Sequence, residues 1–307
     1  MNLSIIIVNY NTSYFINQTI KSVLSSDLNL EYEIIVIDNN SIDKSCDSIE
    51  KEFPDVNLIK NSKNLGFSKA INRAVNASRG EVVLLLNPDT IVESSTIKKL
   101  YTFLLDDKDR GVVGSKIIDP DGKFQLSSRR AYPGILTSIF QITGLSYLFP
   151  NSKIFGKYNY TYIPHNKTHE VDSISGACMI FRRELFDNLN GFDEDYFLFF
   201  EETDFCLKTK RIGKKVYYNS EAITIHYRGE SMKTAPFNVN NIFYESLRTF
   251  YQKNGSKILS SFFVRPLIYL SYKIRGVTLY IKRNSRFLVK LFLDTLGLTL
   301  SFLISLP

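Results

Sequence analysis

The sequence predicts an α/β fold, a mostly parallel sheet with helices on both faces. Three observations predict it. Apolar runs recur through the first 118 residues: LSIIIV (3–8), EIIVID (33–38), VNLIK (56–60), EVVLLL (81–86) and GVVGSKII (111–118). Stretches of helical character separate them. The runs are also mostly unbroken rather than alternating, the signature of strands buried on both faces by crossover helices.

Each element follows from local pattern. Tyr14–Ser26, Asp43–Phe53, Phe67–Ser78 and Ser94–Leu105 read as the intervening helices, the third stopped near Gly80. Asp119-Pro-Asp-Gly122 is a turn signal. Residues 131–170, rich in Tyr, Pro, Gly and Asn, read as a long insertion or lid. VDSISGACMIF (171–181) returns as a strand, and GKKVYY (213–218) and AITIHY (222–227) follow as two more. No internal repeat is present.

Composition bounds the function. The chain has 307 residues, 44% hydrophobic and 22% charged, enough for a large core. Its three cysteines, Cys46, Cys178 and Cys206, are far apart and lack zinc or redox spacing, which fits a reducing compartment. Leu3–Val8 reads as a strand with no basic segment before it, so a cytoplasmic protein is expected. The net charge is +7. From Lys257 onward there are eight basic residues and one acid, Asp294, which leaves 30 of each sign in residues 1–256. A neutral body argues against a nucleic-acid partner. No G-x-G-x-x-G follows the first strand and no G-x-x-x-x-G-K-[ST] exists, which argues against nicotinamide and P-loop chemistry.

In open parallel sheets, ligands sit beyond the carboxyl ends of the strands. Here those ends are polar: Asn9-Tyr10-Asn11, Asp38-Asn39-Asn40-Ser41, Asn61 to Gly66, and Asn87-Pro88-Asp89. Each alone is an ordinary cap or turn, but together they line one edge and predict a ligand site. A second acidic signal is FFEETDFCLK (199–208), where Glu201, Glu202 and Asp204 follow four apolar residues. Carboxylates at a helix start complement its dipole, so helix decoration is one reading and a catalytic cluster the other.

Six segments carry a resemblance in order: LSIIIVNYN, EIIVIDNNSID, NLGFSKAINRAV, VVLLLNPDT, GACMIFRRELFDNLNGFDEDYFLFFEETDFCLK and ITIHYRGES. The set resembles the inverting family-2 glycosyltransferases of the GT-A (Rossmann-like) fold, most of all their rhamnosyltransferase-like branch, over roughly residues 3–250. The resemblance implies that Asn9, Tyr10, Asn11, Asp38 and Asn40 hold the nucleoside of a dTDP- or UDP-sugar, with Asn64, Gly66 and Phe67 lining the same pocket. Asn87-Pro88-Asp89 stands where the family has D-x-D. Asp89 and the distal His226 would then ligate a divalent cation, Mg²⁺ or Mn²⁺, with Asn87 beside them in place of the first Asp. EETD resembles the family's E-D-x-D motif, which makes Glu202 the catalytic base and leaves Glu201 and Asp204 to bind the acceptor. Arg129 and Arg130 resemble a paired-arginine stretch suited to a diphosphate; a solvated basic turn is the alternative. A catalytically silent sugar-nucleotide-binding subunit is the other functional reading.

Residues 257–307 stand apart from these motifs as a second unit. Apolar runs alternate there with basic residues, and Lys282, Arg286 and Lys290 fall at i, i+4 spacing. Amphipathic helices lying on anionic lipid are expected, which would suit a lipid-linked glycan acceptor and a peripheral position on the cytoplasmic face of the membrane. Packing on the enzyme body, or on a second copy in a homo-oligomer, is the alternative.

Overall fold

The computed structural model describes residues 1–230 and 238–255. The basic tail lies outside the described residues. The order of elements is β1 (Leu3–Asn9), α1 (Ser13–Leu24), β2 (Tyr32–Asp38), α2 (Ser45–Glu52), β3 (Asn57–Lys60), α3 (Phe67–Ala77), β4 (Val82–Leu86), β5 (Thr90–Val92), α4 (Thr96–Leu105) and β6 (Arg110–Ile118). There follow β7 (Arg129–Arg130), α5 (Ile135–Ile142), α6 (Leu145–Leu148), β8 (His169–Glu170), β9 (Ser173–Ile174), β10 (Cys178–Arg182), α7 (Arg183–Asn188), α8 (Glu201–Arg211), β11 (Lys215–His226) and α9 (Val239–Asn254).

A nine-stranded sheet runs in the order β3-β2-β1-β4-β10-β6-β11-β5, with β8 on β11, and β7 pairs with β9 separately. Strands β1, β2, β3 and β4 are mutually parallel, and β6 and β11 share their direction. Strands β10, β5 and β8 run the other way. Alternation along β1 shows how both faces are filled. Leu3, Ile5 and Ile7 point into one core with Ile16 and Ile20 of α1 and Leu100 of α4. Ile6 and Val8 point into the other with Ala70 and Ile71 of α3, Phe186 of α7 and Phe205 of α8. Apolar residues on both alternating sets of Leu3–Val8, Ser4 excepted, are what a strand between two cores requires.

Three expectations change in detail. The stretch 171–181 is not one strand: it breaks at residues 175–177, so that Ser173–Ile174 pairs with β7 and Cys178–Arg182 enters the main sheet antiparallel between β4 and β6. The strands expected at 213–218 and 222–227 are one, β11, with an irregularity between Asn219 and Ile223. Within the insertion, Tyr160 is buried in the core and the Ala131 N–H bonds the Tyr158 carbonyl, so its second half is built into the body.

Register gathers the polar strand ends. Asn9 lies opposite Asp38, Asp38 opposite Lys60, and Ile7 opposite Leu86. Leu86 lies opposite Cys178, and His226 opposite Thr90. The residues just beyond these positions therefore share one sheet edge. Gly66 joins that edge to the acidic segment. Its φ is +84° and its ψ 175°, a region open essentially only to glycine. A Cβ there would stand 2.7 Å from the Phe197 carbonyl oxygen. Gly66→Ala is expected to cost about 2–5 kcal/mol from strain and overpacking together. Urea denaturation measures it directly.

Candidate active site

The first cluster forms at β1 and β2. Asn9 is wholly buried; its Nδ2 donates to Asp38 Oδ1 (2.7 Å) and Ser45 Oγ (2.8 Å), and its Oδ1 accepts from Thr12 Oγ1 (2.6 Å). Its side chain is thus engaged by protein groups and orients Asp38, where a nucleoside contact was expected of it. Asp38 also accepts from the Ser41 hydroxyl and N–H. Asn11 and Asn40 both have positive φ, 52° and 65°, a backbone that asparagine tolerates. Asn11 Oδ1 accepts the Ile42 N–H, which ties the two loops together. Tyr10 is half-buried beside them.

Asn39, given no role of its own within the Asp38-Asn39-Asn40-Ser41 run, fastens the next loop. Its Nδ2 donates to the Gly66 carbonyl (3.0 Å) and its Oδ1 accepts from Asn61 Nδ2 (2.8 Å). Asn64 Oδ1 takes the Gly66 N–H, and the Phe67 N–H bonds the Phe197 carbonyl. The signal for Asn39 is the Asp-Asn-Asn run itself, but a polar residue at a strand end gives no warning that it is 3% exposed.

The second cluster joins β4, β5 and β11. His226 Nε2 lies 3.2 Å from Asp89 Oδ1 and 3.4 Å from Asn87 Nδ2. Gln125 donates from Nε2 to the His226 carbonyl (2.8 Å), which turns its Oε1 toward His226 Nδ1 at 3.3 Å. That oxygen accepts a hydrogen bond from Nδ1–H and aims Nε2 at Asp89, the outer-shell arrangement typical of a metal-binding histidine. Burial pushes the Asp89 carboxyl up, but the hydrogen bond and charge of His226 and the Glu230 N–H outweigh it and hold it below the usual range. A carboxylate and an imidazole nitrogen so close need a shared cation, a proton or a metal ion. The donor set fits a hard divalent ion bound with substrate oxygens. Among the described residues no group of three or more His, Cys, Asp or Glu side chains gathers around an ion site, so two protein ligands would be completed by a diphosphate.

The third cluster is the start of α8. Phe199 and Phe200 precede it at φ 70° and 68°, an orientation that costs a non-glycine residue about 1–2 kcal/mol. Phe200 is buried with Tyr196 and Phe250, so packing sustains the strain. Glu201 and Glu202 are both buried, and each keeps one oxygen, Oε2, without a hydrogen-bond partner among the described residues. Arg130 Nη2 donates to Glu202 Oε1. Burial, and then the charge of Glu202, push the Glu201 carboxyl well above the usual range. Such a group stabilises the fold fully below its unfolded value of about 4.3. That contribution is lost as pH rises through the folded value. Glu201→Gln is therefore expected to raise Tm at pH 7–8, by about 2–4 °C per kcal/mol recovered, with the difference vanishing toward pH 4; melting curves across pH test this.

Two more expectations are corrected here. Asp204, expected at the acceptor, is 1% exposed and held within the protein by Lys208 Nζ (2.8 Å), Asn254 Nδ2 (2.8 Å) and Tyr196 Oη (3.4 Å). Arg129, expected at the diphosphate, is also buried, and its guanidinium donates to the carbonyls of Tyr160, Ile163 and Pro164. It closes the insertion onto the body. Strand alternation in β7 sends Arg130 the other way, to Glu202, where a diphosphate contact was expected of it.

Comparison with known proteins gives the family and the fold. The model of the family described as Glycosyl transferase family 2 matches residues 4–189, more than half of the chain. An N-acetylglucosaminyl-diphospho-decaprenol L-rhamnosyltransferase of Mycobacterium tuberculosis is 26% identical over 215 residues, 66% of this chain and 69% of the relative. An uncharacterized protein of Sinorhizobium fredii is 26% identical over 75% of this chain, but the chain spans only 25% of its length. Among solved structures, residues 1–349 of S. aureus TarS with UDP-GlcNAc have a TM-score of 0.54 at 22% identity, covering 82% of this chain and 66% of that fragment. GalNAc-T7 with UDP, GalNAc and Mn²⁺ has a TM-score of 0.59 at 17% identity, covering 81% of this chain and 47% of GalNAc-T7. These likenesses establish the fold. The chain belongs to glycosyl transferase family 2 and has the GT-A fold.

Proposed function

We propose that this chain transfers a sugar with inversion, L-rhamnose from dTDP-L-rhamnose, onto a hydroxyl of a lipid-linked glycan in bacterial cell-surface polysaccharide synthesis. The observation that carries the reading is the unpartnered Oε2 of Glu202, buried at the head of α8 while Arg130 occupies Oε1. A general base must keep one oxygen open to the acceptor hydroxyl. Glu202 takes the acceptor proton through Oε2 as the acceptor oxygen attacks the anomeric carbon from the face opposite the nucleotide. The bond to the diphosphate breaks in the same step, so the configuration inverts without a covalent intermediate. Arg130 keeps the base oriented. Glu201, whose Oε2 is also unpartnered, offers a hydrogen-bonding site to an acceptor hydroxyl.

Asp38, positioned by Asn9, accepts from the pyrimidine N–H, and Tyr10, Asn11, Asn40 and the Asn64–Phe67 loop line the nucleoside pocket. Asp89 and His226 would hold a divalent cation beside Asn87, and that ion would neutralise charge on the departing diphosphate. The mycobacterial relative, named for a rhamnosyl transfer to a lipid diphosphate, supports the donor and the acceptor. Leu136, Tyr147, Leu148, Phe149 and Ile154 are large apolar residues exposed within one stretch of the insertion. Together with the basic tail they support work at a membrane surface. No helix of the described residues is long and apolar enough to cross a membrane. Three free cysteines fit a reducing compartment, and with the exposed apolar stretch the reading is of a cytoplasmic enzyme at the membrane face.

A UDP-sugar donor is the second reading, favoured by the UDP-bound structures of the same fold. Incubation with dTDP-rhamnose or UDP-sugars, with Mn²⁺ or EDTA and a polyprenyl-diphosphate glycan, separates the two. Metal-dependent release of dTDP is expected; release of UDP alone would replace the donor. Nucleotide binding without turnover of any donor would favour the silent subunit.

A further inference from the structure

One helix holds the acidic segment at three levels. Asn254, in the last turn of α9, donates from Nδ2 to Asp204 Oδ1 at 2.8 Å across 50 residues of chain. Beside it, Lys253 Nζ binds Asp193 (2.7 Å) and Asp195 (2.6 Å), on the loop that leads toward α8. Higher along α9, Ser246 Oγ donates to the Leu198 carbonyl (2.8 Å). The Phe243 ring meets both Phe199 and Phe200.

What these contacts grip is the least relaxed backbone near the site. Phe199 and Phe200 are consecutive phenylalanines at positive φ, immediately before Glu201 and Glu202. Such a conformation persists only where surrounding structure over-determines it. Released, both residues would return to negative φ and α8 would no longer begin at Glu201. The first turn of α8 carries the two glutamates whose Oε2 atoms are buried without partners, so its placement decides where those oxygens point.

We propose that α9 is a brace for the catalytic turn and that Asn254 is a positioning residue acting through Asp204. It touches no reacting atom; it fixes the head of α8 so that Glu202 meets Arg130 on one oxygen and the acceptor on the other. The inference rests on the reading of Glu202 as base, and its test separates the two.

The experiment uses the full chain, as wild type and as Asn254→Ala. Amide hydrogen exchange read by mass spectrometry compares a peptide covering 197–207 with one covering β4. Exchange in 197–207 should rise about tenfold or more in Asn254→Ala with β4 unchanged, as expected of a local opening. Turnover should fall about 10- to 100-fold in kcat with KM for the donor unchanged, the mark of an interaction felt in the transition state. Asn254→Asp sets a carboxylate against Asp204 and should be worse than Ala. Adding Asp204→Asn restores a donor–acceptor pair and should recover part of both readouts. Unchanged exchange in 197–207, or exchange raised uniformly over the chain, would overturn the brace. Local loosening with undiminished kcat would overturn the positioning role. A wild type that turns over no donor, with the exchange result intact, would refute the transferase reading and leave the brace standing.

Discussion

Glu202→Gln protein is expected to bind nucleotide-sugar as wild type does and to transfer it about 10²–10⁴-fold more slowly, the range for loss of general base catalysis. The substitution changes little else. Glutamine keeps the length of the side chain and an oxygen that can accept from Arg130, so the contact at Oε1 survives as a neutral-acceptor bond. What is lost is the capacity of the second oxygen to take a proton. Calorimetric titration with donor, alongside single-turnover transfer, reads the two effects separately, and transfer at wild-type rate would remove Glu202 from the mechanism. Glu202→Asp is a useful companion. It keeps the charge and shortens the reach by one methylene, so it should retain intermediate activity if distance to the acceptor is what limits it.

Asp89→Ala should lose metal-dependent turnover by about 10²–10³-fold, because an ion stabilising transition-state charge contributes several kcal/mol and each 1.36 kcal/mol is tenfold in rate. The physical basis is the isolation of the pair. Asp89 is 4% exposed and faces His226 Nε2 at 3.2 Å. Among the described residues no third acidic, histidine or cysteine ligand completes an ion site, so nothing stands in for the missing carboxylate. The concentration of Mn²⁺ giving half-maximal turnover should rise in the variant, and raising Mn²⁺ should recover activity only in part. The same Mn²⁺ response in the variant and the wild type would detach the ion from Asp89. His226→Ala should follow in the same direction with a smaller effect, since it removes a neutral ligand rather than a charge.

The two substitutions probe parts of the molecule that were unequally legible in the sequence. The strands were readable because a chain buried on both faces has no room for polar alternation; β1 and β4 announce themselves for that reason. The direction of β10 was not readable, because Cys178–Arg182 is equally apolar whichever way it runs. Asp89 and His226 come together as the motif order implies. Asn9 and Asp204 were assigned to ligands because a polar residue beside a motif reads alike whether it faces a ligand or props a neighbour. What decides is the partner set, and for Asp204 that includes Tyr196 and Asn254, the latter beyond any local pattern. Arg129 is the plainest case. An arginine pair in a turn-rich stretch suggests solvent or phosphate, and only the folded insertion supplies the three carbonyls that take up its guanidinium.

The two-residue strand β7 has an evolutionary consequence. Arg129 and Arg130 do opposite work because successive side chains of a strand face opposite ways, with Arg129 registered against Ile174 and Arg130 against Ser173. Point changes at either position injure one function each. Gain of a single codon just upstream would put Ser128 against the carbonyls of the insertion, and loss of one would put Ala131 beside the base. Descendants of this gene should therefore hold the number of residues in 125–130 as closely as the chemistry of Gln125, Arg129 and Arg130.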